Sequence, residues 1–202
     1  MPSVLILFAH PKFEQSRVHR ALLEAARPVP GVTVRDLYEE YPDFDVDVPA
    51  EKDLLLAHSH VILQHPLYWY SCPALMKQWI DLVLEHGWAY GRGGTALEGK
   101  TMMNAVSSGG IREAYAHQGH NRRTMREFLF PFEQTARLCR MRWLPPYVVH
   151  GTHRATLPEI DGHAKSYAQF LGVLARGEAD LGVLEGLEYA NGYTVETTAG
   201  RS

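Results

Sequence analysis

The tightest constraint on this chain is a rhythm. Five short runs, "SVLILFA" (3–9), "VTVRDLY" (32–38), "HVILQH" (60–65), "TMMNAVSS" (101–108) and "PYVVHG" (146–151), are apolar or alternate, and segments of helical period separate them. Short continuous apolar runs are expected to form strands buried on both faces. After Ser16, an N-cap residue, Val18, Leu22, Leu23 and Ala26 recur at helical spacing until Pro28 stops them. Further helices are expected over 50–58, over 74–86 with Leu75, Trp79, Leu82 and Val83 on one face, over 124–140 with a kink at Pro131, and over 157–176.

Strands that alternate with helices predict an α/β fold: a doubly wound parallel sheet in three αβα layers. Right-handed crossovers leave few topologies, and five strands fit the order 2-1-3-4-5. The expected domain spans 1–177, followed by a C-terminal tail, 178–202. In this layout ligands bind beyond the carboxyl ends of the strands, near the switch between the first and third. The chemistry is therefore sought in the loops after strands one, three and four.

The loop after strand one, "HPKFEQSRVH" (10–19), delivers Ser16, Arg17, Val18 and His19 to a helix start. Free amides and the positive dipole end there suit a phosphate, with the Arg17 charge adding to them; the plainer alternative is an ordinary serine cap. No Walker A or G-x-G-x-x-G motif is present, which disfavours nucleoside triphosphates and Rossmann-type dinucleotides. The loop after strand three holds Leu67, Tyr68, Trp69 and Tyr70, and the loop after strand four holds Ser107, Ser108, Gly109 and Gly110. Three rings offer a flat apolar bed, and a glycine pair lets amides approach a ligand closely. Phosphate site, bed and glycine pair at one sheet edge fit flavin mononucleotide (FMN).

Composition narrows the partners. The formal net charge of -3 gives no general affinity for nucleic acid. Residues 36–53 carry eight acids against Lys52, and residues 112–142 carry seven arginines against three glutamates. These are solvated faces or, on a sharper reading, docking surfaces. Cys72 and Cys139 form no C-x-x-C motif, and the spacings of the eleven histidines match no metalloprotease pattern, so no metal is expected. The N-terminus lacks a basic lead-in and a cleavage site, and no run approaches the ~20 apolar residues of a membrane span. A cytoplasmic location is expected.

"AHP", "YPDFDVD", "QHPLYWYSCPALMKQWID", "HGWAYGRGGTALEGK", "SSGG" and "CRMRWLPP" stand in this order along the chain. Together they resemble the flavodoxin-like NAD(P)H:quinone oxidoreductase family, and within it the bacterial ancillary proteins of glutathione-regulated potassium-efflux systems. The resemblance covers about residues 3–176. It implies flavin contacts by His10, Ser16 to His19, Leu67 to Tyr70 and Ser107 to Gly110. Tyr115 and His120 are implied over the flavin as catalytic groups. It further implies FMN, or FAD as the longer alternative, with NAD(P)H as co-substrate, a quinone acceptor in a ping-pong cycle, and a homodimer with sites at the subunit boundary. The alternative role is a regulatory subunit on a potassium-efflux antiporter at the inner membrane, with the flavin structural or sensory.

Overall fold

The computed structural model describes residues 3–193. Its elements follow the sequence rhythm: β1 (Val4–Phe8), α1 (Arg17–Ala26), β2 (Val32–Asp36), α2 (Leu37–Glu40), α3 (Val48–Ala57), β3 (His60–Pro66), α4 (Ala74–Val83), β4 (Thr101–Ser107), α5 (Met125–Phe128), α6 (Phe130–Leu138), β5 (Arg142–Trp143), β6 (Tyr147–Val149), α7 (Leu157–Arg176) and α8 (Leu181–Glu185). The sheet is parallel, in the order β2-β1-β3-β4-β5, with β6 also paired to β4.

Strand residues alternate between two cores, as the period of two requires. Leu5, Leu7, Val61, Leu63, Met102 and Val106 pack against α3, α4 and α6. Val4, Ile6, Phe8, Ile62, Met103 and Ala105 pack against α1 and α7. Each such fully buried aliphatic side chain contributes about 1.5–3 kcal/mol. The three expected layers are therefore present.

Three details differ from the sequence expectations. The strand expected over 146–151 is the short β6, and an unexpected strand, β5, precedes it at the same sheet edge; Leu144-Pro145-Pro146 separates the two, because proline has no N–H for the ladder. Thr101 pairs with Arg142 but Ala105 with Tyr147, so the break absorbs one extra residue. The helix expected over 124–140 is likewise two, broken at Leu129 (φ -89°, ψ 0°) just before Pro131. Residues 178–193, expected as part of a tail beyond the domain, pack onto it: Leu184, Tyr189, Ala190 and Tyr193 are buried. The Asn191 side-chain amide clamps the edge strand, accepting from the Val148 amide at 2.8 Å and donating to its carbonyl at 3.0 Å. The remainder of that tail, 194–202, lies outside the described residues.

Under the α3–α4 side, Glu51 is fully buried and accepts three hydrogen bonds. They come from Arg35 Nε (2.9 Å), the Tyr41 hydroxyl (2.6 Å) and Trp79 Nε1 (2.8 Å). Burial and this carboxylate push the Tyr41 hydroxyl up to about 12.

Candidate functional site

A cavity of ≈490 Å³ opens at the carboxyl edge of β1, β3 and β4, where the topology places a ligand. One end is the start of α1. Ser16 caps this helix, its Oγ accepting from the His19 amide at 3.2 Å. The amides of Arg17 and Val18 have no acceptor among the described residues. Arg17 Nη2 donates across the cavity to the Thr152 carbonyl at 3.1 Å. Lys12 and His153 complete the rim, and among the described residues no aspartate or glutamate lines the cavity. Unpaired amides, a positive helix end and an acid-free wall form an anion cradle.

The opposite end is built by the loops after β3 and β4. Leu67 is held by its amide on the Ser107 carbonyl at 2.8 Å, and it lines the wall with Pro66, Tyr68 and Ser107. His10 Nδ1 accepts from the Lys12 amide at 3.1 Å, which leaves Nε2 to carry the proton. Its ring packs edge-on against Tyr68 at 5.8 Å, and burial lowers its pKa. Gly109 stands where a Cβ would meet His153 at 2.5 Å, and its amide and that of Gly110 are unpaired among the described residues.

Of the expected site residues, His10, Ser16, Arg17, Val18, Leu67, Tyr68, Ser107 and Gly109 line the cavity. The others stand elsewhere, each for a physical reason. Trp69 (φ 50°) and Tyr70 (φ 63°) are consecutive left-handed residues in a tight turn closed by Ser71 N to the Tyr68 carbonyl at 3.0 Å. That turn sends Trp69 outward, 94 % exposed, and stacks Tyr70 on Phe128 at 4.8 Å. The expected three-ring bed is thus a single ring, Tyr68, on the cavity wall.

His19 is a fully buried side chain beneath the floor, not on it. Ser108 Oγ is spent on the Gly110 carbonyl and His150 Nδ1, both at 3.0 Å. Gly110 backs onto Tyr115, with 3.1 Å from a Cβ there to that ring. Tyr115 is buried beyond the glycine pair, 5.3 Å from the His150 ring, and His120 is exposed outside the cavity wall.

Lys12, Gln15, Pro66, Thr152 and His153 line the cavity without having been singled out. Thr152 and His153 follow β6, so the same sheet-edge rule applied to the last strand would have found them. Cys72 and Cys139 are free, and burial raises both thiols, Cys139 to about 11, which makes them poor nucleophiles.

His65, fully buried below the floor, titrates in a readable way. The Pro66 carbonyl can only accept, so Nδ1 carries the proton (2.9 Å), and Nε2 accepts from Asn104 Nδ2 at 2.8 Å. Burial pushes the pKa from 6.5 down to about 4. Between those values the unfolded chain binds a proton that the folded chain refuses. Stability should therefore be flat above the unfolded pKa and fall as pH drops through this window, by about 3 kcal/mol at its foot. Urea midpoints at about pH 7 and about pH 5 should show the drop, steepened by the other buried histidines, His19 and His150 among them, and His65→Gln should make it smaller by the His65 share alone.

Comparisons place this geometry among known proteins. A family model described as Flavodoxin-like fold matches residues 2–171. A glutathione-regulated potassium-efflux system ancillary protein, KefG, from Enterobacter sp. (strain 638) is 45% identical over 168 residues, covering 83% of this chain and 92% of that protein. Among solved structures, general stress protein 14 from Treponema denticola, in complex with FMN, is 40% identical with a TM-score of 0.82, covering 86% of this chain and 99% of that one. An NADPH-quinone reductase from P. pentosaceus is 33% identical with a TM-score of 0.76, covering 84% and 97%.

Proposed function

Because the chain belongs to the flavodoxin-like fold family, we propose that it is an FMN-dependent NAD(P)H:quinone oxidoreductase that passes two electrons in a ping-pong cycle. The observation that carries this is the cavity itself: an acid-free anion cradle at the α1 start, continuous with a wall that carries Tyr68, Ser107 and Gly109. The residues present fit the mononucleotide at both ends. The FMN complex of the Treponema denticola protein and the reductase from P. pentosaceus support the cofactor and the reaction class. When bound, the flavin supplies the hydride chemistry, and the protein supplies position and electrostatics.

In this reading the Arg17 and Val18 amides, with the Arg17 and Lys12 charges, hold the phosphate. Tyr68 and Leu67 bound the ring, and the Gly109 and Gly110 amides meet its polar edge. Tyr115, which backs Gly110 rather than lining the cavity, is the donor that the family resemblance implies as charge develops on the acceptor. His120 is the second proton source, from the same segment. Tyr115→Phe should slow single-turnover quinone reduction at least about tenfold while FMN stays bound. Unchanged rates would remove Tyr115 from the reaction.

The molecule acts as a homodimer. Two left-handed aromatic residues at Trp69 and Tyr70 cost about 1–2 kcal/mol each, and a partner surface against exposed Trp69 and Ile111 offsets that strain. A second reading is favoured by the KefG relative: a regulatory subunit on a potassium-efflux antiporter, working at the cytoplasmic face of the inner membrane. No helix among the described residues is long and apolar enough to cross a membrane. Steady NAD(P)H oxidation with a quinone supports the enzyme. Capture of the antiporter with no measurable turnover supports the regulatory subunit.

A further inference from the structure

A line of buried polar groups runs from α7, along the face of the sheet that α1 and α7 cover, to the cavity. Tyr167 on α7, Gln64 on β3 and His19 on α1 are each fully buried, and Ser107 at the end of β4 lines the cavity. The Tyr167 hydroxyl donates to Gln64 Oε1 at 3.0 Å. That bond makes Oε1 the acceptor and leaves Nε2 as the donor, aimed at His19 Nδ1 at 3.4 Å. A neutral imidazole that accepts on Nδ1 must carry its proton on Nε2. His19 Nε2 lies 2.9 Å from Ser107 Oγ.

We infer that Tyr167, Gln64 and His19 form a positioning chain that fixes the proton order at the site, so that Ser107 accepts from His19 and turns its own hydroxyl proton into the cavity. Burial keeps the His19 imidazole neutral, since the charged ring has no solvent and lies beside His10 and His65. With the opposite order, Ser107 would donate inward and offer the ligand only lone pairs. The site is therefore committed to an acceptor atom, a carbonyl oxygen or an unprotonated ring nitrogen, at this point of its wall. This rests on the flavin reading for the identity of the ligand, but the proton order stands on the protein alone.

The test separates the two. Nitrogen NMR on protein labelled at histidine, with His19→Asn to assign the signal, reads the His19 tautomer without any ligand. The expected wild-type state is protonated Nε2 and bare Nδ1. Gln64→Met removes the donor that faces Nδ1 without adding an ionisable group, so His19 should lose its fixed tautomer and the FMN dissociation constant should rise about threefold, part of one hydrogen bond's worth. Should that variant fail to fold, Tyr167→Phe removes one hydroxyl at constant shape and frees the amide to turn. It should give mixed tautomers and a rise of about threefold. Tyr147→Phe deletes the neighbouring hydroxyl, which donates to the His163 carbonyl outside the chain of contacts, and should change neither readout. A wild-type His19 protonated on Nδ1, or a tautomer that ignores both variants, overturns the inference. Failure of wild-type protein to bind FMN overturns the flavin reading instead, and the nitrogen spectrum still decides the proton order.

Discussion

Glu51→Ala is expected to cost about 3–5 kcal/mol of unfolding free energy, the range for breaking one partner out of a buried ion pair. The carboxylate sits at no solvent exposure and joins β2 through Arg35, the turn after α2 through Tyr41, and α4 through Trp79. Its removal leaves the Trp79 N–H buried with no acceptor and opens a void beneath α3. Arg35 keeps a second partner in Glu40, at 2.8 Å, so the loss comes mostly from the desolvated tyrosine and tryptophan donors. Set against a typical domain stability of about 5–15 kcal/mol, the variant should fold but melt about 10 °C lower. Thermal and urea unfolding read this directly. A loss below about 1 kcal/mol would mean that water reaches the carboxylate.

Arg17→Pro should abolish tight FMN binding while leaving the fold alone. Arg17 is the first residue of α1, where proline is favoured, and Ser16 before it is already extended (φ -89°, ψ 103°), as a residue preceding proline must be. The Ser16 cap on the His19 amide is untouched. What disappears is one free amide and one guanidinium from the anion cradle. A hydrogen bond to a charged group is worth about 1.5–3 kcal/mol, so the FMN dissociation constant should rise about a hundredfold. Riboflavin, the same ring without the phosphate, should bind the variant as well as it binds wild type. Equal losses for both ligands would place the phosphate elsewhere.

The sheet was legible because β1 is a continuous apolar run and β3 and β4 are short, mostly apolar runs, and burial on both faces leaves runs of that length little alternative. The edge was less so. Pro145 and Pro146 separate the unexpected β5 from the last strand, and the clamp by Asn191 comes from a segment whose composition reads as a tail. Within the site, the phosphate end was readable from Ser16 and Arg17, since helix starts carry a local signature. The ring end was not. Which of Tyr68, Trp69 and Tyr70 reaches the cavity depends on two left-handed backbone positions that no glycine announces. Gln64 illustrates the remaining limit. In sequence it is one of three polar residues in its strand, with His60 and His65, and its meaning comes from Tyr167, 103 positions away.

The most direct test of the flavin claim is to heat the purified protein and identify what leaves it, by mass and by absorbance. Released FMN, close to one per chain, is the expected result. A colourless protein that takes up no FMN on reconstitution would contradict the proposal.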